Sequence, residues 1–95
     1  MNARNQRKRS GTVPLIDHDR REGSTLFWDL HDGLSISRDT HDADVVLYRD
    51  GDVTASLSKS QATSMGQRIY REVKDNGADD VRVRYARALC SASAF

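Results

Sequence analysis

Leu26, Trp28 and Leu30 alternate with Thr25, Phe27 and Asp29, the two-residue period of a strand that buries one face. His31-Asp32-Gly33 and a second short run, Leu34 to Ser37, follow. A loop of Asp32-Gly33 alone sets Leu30 against Ser35 and Trp28 against Ser37, scattering apolar groups over both sides. A three-residue loop with Gly33 in the left-handed conformation instead pairs Leu30 with Leu34 and Trp28 with Ile36. That register collects Leu26, Trp28, Leu30, Leu34 and Ile36 on one face.

The stretch Asp44 to Lys74 repeats the design and then changes period. Val45 to Tyr48 and Val53 to Leu57 flank Asp50-Gly51, a strong hairpin signal. A loop of Arg49-Asp50-Gly51 pairs Leu47 with Val53 and Val45 with Ala55, and adds Leu57 to the same side. Phe27, Val46 and Tyr48 are left on the opposite face, to be covered by another segment or to serve as a contact surface. Ser58 with Gln61 forms a capping-box pattern, and Ala62, Met65, Ile69 and Val73 recur at spacings of three and four, so a helix is expected from Ser60 to about Asp75 with its apolar stripe on the sheet. Gly66, inside that stripe, points to close helix–sheet approach, beneath Trp28. Asn76-Gly77 ends the helix.

Val81, Val83 and Tyr85 alternate with Arg82 and Arg84, which predicts a fifth strand over Asp80 to Tyr85; the competing reading is a second helix running through Ala86 to Cys90. Residues 1–23 are rich in Arg and Lys and hold only the apolar patch Val13 to Ile16, which predicts a disordered basic arm, with that patch as an extended strap at most. The expected fold is therefore α+β: an antiparallel meander of four strands in two hairpins, packed against one α-helix, with a fifth C-terminal strand. Residues 24–95 form its single domain and 1–23 its flexible arm.

Charge refines this picture more than bulk composition does. The net charge of +1 divides into about +3 over residues 1–28, −5 over 29–52 and +3 over 53–95. An acidic middle between basic flanks suits a charged macromolecular partner at close range. The chain has one cysteine, Cys90, so the fold cannot rest on an intramolecular disulfide. The basic start runs into Ser10-Gly11-Thr12 rather than an apolar stretch, and no apolar run is long enough to cross a bilayer, which together point to a cytoplasmic protein.

Candidate chemistry is sparse. His18, His31 and His41 each sit among aspartates, but the meander places His31 and His41 at opposite ends of one strand, and no cysteine pair or helical His pair accompanies them. Neither a metal nor any cofactor is expected. Cys90 lies among small residues with no histidine near it in sequence, and the serines lack a nucleophile elbow. Gly33, Gly51 and Gly77 serve turns and a cap rather than a phosphate loop. Catalysis is not expected.

Surface chemistry remains. The first reading is a non-enzymatic interaction module that regulates or inhibits a protein partner through Phe27, Val46 and Tyr48 on the sheet and Asp50 and Asp52 at the acidic tip. The alternative is nucleic-acid binding through Arg4, Arg7, Lys8 and Arg9 in the arm and Arg82 and Arg84 on the last strand. No membrane partner is expected, and the chain is expected as a monomer or as a homodimer built by pairing edge strands.

Overall fold

The structure is a computed structural model that describes residues 12–95. Five antiparallel strands lie in chain order in one sheet: β1 (Arg20–Glu22), β2 (Thr25–Asp29), β3 (Leu34–Asp39), β4 (Val45–Arg49) and β5 (Asp52–Leu57). Two helices follow, α1 (Lys59–Val73) and α2 (Val81–Ala94), joined through a single turn of 3-10 helix at Lys74–Asn76. The class is α+β, as the periodicity predicts, and both expected hairpins are present.

The first hairpin has the expected register, with Trp28 opposite Ile36 and the Leu30 amide bonded to the Leu34 carbonyl at 2.8 Å. Its turn is built on Asp32 and Gly33, both at positive φ (57° and 76°), and His31 is the extra residue that keeps Trp28 and Ile36 on one face. The second hairpin departs from its expected register. Asp50 and Gly51, again both at positive φ (52° and 87°), form a two-residue turn that sets Arg49 opposite Asp52 and Tyr48 opposite Val53. A bulge then shifts the pairing by one more residue, to Leu47 opposite Ala55 and Val45 opposite Leu57 in place of the expected Leu47 with Val53 and Val45 with Ala55, and so returns Ala55 and Leu57 to the inner face. Thr54 is the extra residue, and its hydroxyl donates to the Leu47 carbonyl at 3.3 Å. Val53 therefore leaves the core face on which the three-residue loop had placed it.

The C-terminal segment corrects the fifth-strand expectation. Residues 81–94 form a helix capped by Asp80, whose carboxylate accepts from the Arg82 backbone amide at 2.9 Å. The fifth strand of the sheet is instead β1, drawn from the segment expected as an arm. From residue 12 onward that segment is ordered against the domain: Val13 is buried, the Ile16 carbonyl accepts from Trp28 Nε1 at 2.9 Å, and the Ile16 amide donates to Ser91 Oγ at 2.8 Å. Arg87 Nε adds a bond to the Pro14 carbonyl at 3.0 Å.

Both helices lie on the inner face of the sheet, but α2 rather than α1 occupies its centre. Leu26, Trp28, Ile36 and Val45 from the sheet meet Ala88, Leu89 and Ala92 from α2 and Ala62 from α1, with Met65, Ile69 and Leu57 at the margin. Each of the larger side chains contributes roughly 1.5–3 kcal/mol by leaving water. Helix α1 packs mainly on α2. Its capping box is formed as the sequence predicts, with Gln61 N bonded to Ser58 Oγ at 3.1 Å and Ser58 N to Gln61 Oε1 at 2.8 Å.

Gly66 marks the crossing of the two helices, not an approach to Trp28. A Cβ at this position would stand 2.6 Å from Cys90 Sγ, 2.9 Å from the Ala86 carbonyl oxygen and 3.2 Å from Leu89 Cβ. The thiol can turn aside, but the backbone carbonyl cannot. Gly66→Ala is thus expected to gain up to about 1 kcal/mol of helix propensity and lose about 1–3 kcal/mol to overpacking. The net result is a lower urea midpoint; an unchanged or raised midpoint would contradict this crossing.

Candidate interaction surface

No helix of the described chain covers the other face of the sheet. Cross-strand pairing lays out its rows. Across the middle run Arg20, Phe27, Ser37, Val46 and Ser56; toward the hairpin tips run Asp29, Ser35, Tyr48 and Val53; toward the opposite end run Glu22, Thr25 and Asp39. The rings of Phe27 and Tyr48 lie 5.9 Å apart at a 45° tilt, and the Arg20 guanidinium sits 4.2 Å from the Phe27 ring centroid. Ser37 is only 2% exposed although no helix covers it, because these neighbouring rings close over it, and its Oγ lies 3.0 Å from Tyr48 Oη. The result is a small plateau of aromatic and aliphatic groups with hydroxyls between them.

Carboxylates rim this plateau. Asp29 accepts from Arg20 Nε at 2.9 Å, Glu22 also pairs with Arg20, and Asp29 and Glu22 together hold the Arg20 pKa above its usual value. Asp39 accepts from the His41 backbone amide at 2.8 Å and from the hydroxyls of Ser24 and Thr25. Those bonds, the His41 amide foremost, hold its carboxyl below the ordinary value of 3.8.

The residues singled out from the sequence divide into three groups. Phe27, Val46 and Tyr48 are brought together on the plateau, each half-buried. Asp50 and Asp52 lie beside it at the tip, where the Asp50 amide donates to the Gly33 carbonyl at 2.8 Å and the two turns dock against each other. An added Cβ on Gly33 would fall 2.1 Å from Asp50 Oδ1, a clash that the exposed carboxylate can relieve by turning, so it is the positive φ of 76° that favours glycine there. Arg82 and Arg84 are on the first turns of α2 rather than on a strand. Arg82 pairs with Asp80 at 2.8 Å and Arg84 with Asp19 at 2.9 Å. Arg4, Arg7, Lys8 and Arg9 lie outside the described residues.

Two members of the plateau escaped the sequence reading. Arg20 falls in the segment expected as an arm, and Val53, 63% exposed beside Tyr48, is expected on the core face. The signal for Val53 was present in Asp50-Gly51, a dipeptide that favours a two-residue turn and therefore a register one residue tighter.

The histidines do not converge. His31 precedes β3 and His41 follows it, and among the described residues no group of three or more His, Cys, Asp or Glu side chains is placed to share an ion. Cys90 is buried, and desolvation pushes its thiol pKa up, which disfavours the thiolate. Among the described residues no helix is long and apolar enough to cross a membrane.

Two carboxyls make stability pH-dependent. Asp39 is held low as described, and Asp80 is held well below the carboxylate range, first by the Arg82 side chain and then by Asn76 and the Arg82 amide. A folded-state pKa below the unfolded one contributes stability above the unfolded value that is lost as pH falls through the folded one. The melting temperature is therefore expected to hold level down to about pH 5 and to fall below about pH 4. Asp80→Asn should flatten that fall; an identical acid profile in the variant would remove Asp80 from the explanation. Compared with protein-family models, with curated proteins and with solved structures, the chain matches none.

Proposed function

We propose that the protein is a non-enzymatic interaction module that regulates or inhibits a protein partner by docking on the outer face of its sheet. One observation carries this reading: Phe27, Val46, Tyr48 and Val53 share a face on which neither helix packs. An apolar centre with a polar rim is the composition of a protein contact surface. The carboxylates of Glu22, Asp29 and Asp39 around that centre favour a partner that presents lysine or arginine around an apolar knob. Replacing Phe27 and Tyr48 together with serine should cost the free protein only about 1–2 kcal/mol, since both are half-buried, yet weaken the complex by about a hundredfold or more. A complex of unaltered affinity would remove the plateau from the interface.

The second reading, nucleic-acid binding, has the Arg20–Phe27–Tyr48 cluster in its favour, since bases stack on such groups. Against it stand the acidic rim and the engagement of Arg82 and Arg84 with carboxylates. A gel-shift series decides between the two: affinity that falls steeply with salt for any sequence supports nucleic acid, and absence of a shift at low salt supports the protein partner.

A further inference from the structure

The sheet has a second exposed feature, distinct from its outer face. Among the described residues β5 has a neighbouring strand on one side only, so along Asp52–Leu57 the backbone groups directed away from β4 have no strand among those residues to bond. The opposite edge, β1, is half as long, and the Arg21 side chain folds along it to the Gly23 carbonyl at 2.8 Å. At the end of β5, Leu57 and the first turns of α1 line a shallow, open depression of about 350 Å³. Leu57 and Met65, both half-buried, supply its apolar wall, and Ser60 and Ser64 supply hydroxyls. Arg68 stands at the depression, exposed, and is absent from the ion pairs formed among the described residues.

We propose that this edge accepts an extended acidic peptide as a sixth strand, laid along β5 beside the first turns of α1. Backbone bonds to β5 would supply affinity for any sequence, as in strand addition generally. Side chains two positions apart on the added strand share a face, so one aliphatic group enters the depression at Leu57 and Met65 and a carboxylate two residues away meets Arg68. The recognised pattern is aliphatic, any residue, then Asp or Glu. The unpaired cation selects this occupant over a second copy of the chain.

The test uses the whole chain and a short capped peptide in which threonine alternates with valine, glutamate and valine, alongside its counterpart with lysine for glutamate. Binding is read by fluorescence anisotropy, and its place by amide shifts and slowed exchange over residues 52–57. The glutamate peptide is expected to bind with those amides perturbed. Arg68→Glu should weaken it about tenfold and strengthen the lysine peptide correspondingly, a swap that loss of folding cannot imitate. No binding at millimolar peptide, perturbation centred elsewhere, equal affinity for both peptides, or self-association of the free chain through β5 would each overturn the proposal. The edge and the plateau are different surfaces, so neither outcome bears on the function proposed above.

Discussion

Trp28→Ala is expected to remove about 3–5 kcal/mol of folding stability, the largest loss of any single truncation in the domain. Trp28 is 1% exposed and its ring lies at the centre of the cluster formed with Leu26, Ile36 and Leu89. Its indole N–H also donates to the Ile16 carbonyl at 2.9 Å, so the same side chain fills the core and ties down the segment that precedes β1. A small domain has about 5–15 kcal/mol in total, so the variant loses a large share of it and should melt about 12–40 °C below the parent. Trp28→Phe separates the two roles. It keeps most of the buried ring and leaves one carbonyl unpaired, and should cost about 1–3 kcal/mol while amide exchange over residues 13–19 quickens. A Trp28→Ala chain with an unshifted urea midpoint would mean that the ring faces water.

Arg38→Ala should cost about 3 kcal/mol, an effect that composition would not suggest for an arginine in a strand. Arg38 is 6% exposed on the inner face, between Leu26 and Val45. Its Nη1 donates to the Ala92 carbonyl at 2.8 Å and its Nε to the Asp42 carbonyl at 2.7 Å. One guanidinium therefore caps the last turn of α2, where the helix dipole is negative, and closes the loop between β3 and β4. Deleting it leaves the Ala92 carbonyl buried without this donor. Arg38→Lys should recover little, because a single ammonium at the end of a flexible stem does not span two carbonyls held by a planar fork. Equal stability of the lysine variant and the parent, by urea denaturation, would show that the bidentate geometry is not what matters.

How much of this was legible in the sequence depends on whether an element has two unlike faces. β3 and α1 each have one apolar and one polar side, and β2 alternates Leu26 and Trp28 with Thr25 and Asp29, so Leu26, Trp28, Ile36 and Ala62 could be placed from periodicity alone. α2 has almost no polar side from Ala86 to Ser93, since it is covered by the sheet, by α1 and by the N-terminal segment. A helix buried all round has no 3.6-residue contrast to read, and the alternating Val81, Val83 and Tyr85 at its start resemble a strand. The informative residues were Asp80, a good helix cap, and the run of small side chains that lets α1 approach at Gly66. β1 was hidden for the opposite reason: Arg20, Arg21 and Glu22 have no apolar member, and they join the sheet because neighbouring backbone bonds hold them there, including Asp19 N to the Phe27 carbonyl at 2.8 Å.

The plateau was partly legible. The strand period assigned Phe27, Val46 and Tyr48 to a common side, and the pairing does bring them together. What the period does not encode is a bulge. The two-residue turn placed Val53 on the outer side, one extra residue at Thr54 returned Ala55 and Leu57 to the inner one, and a lone charged strand supplied Arg20.

Thiol labelling of the native protein tests most directly whether one side of the sheet is packed and the other bare. The chain's own cysteine is buried, so Tyr48→Cys and Val53→Cys report on the outer side and Ile36→Cys on the inner side without further changes. Under native conditions the thiols at positions 48 and 53 should react with a water-soluble disulfide reagent at close to the rate of a free thiol, while those at 36 and 90 react only on unfolding. Rapid reaction at 36 or 90, with protection at 48 and 53, would mean that the helices lie on the face assigned to the partner.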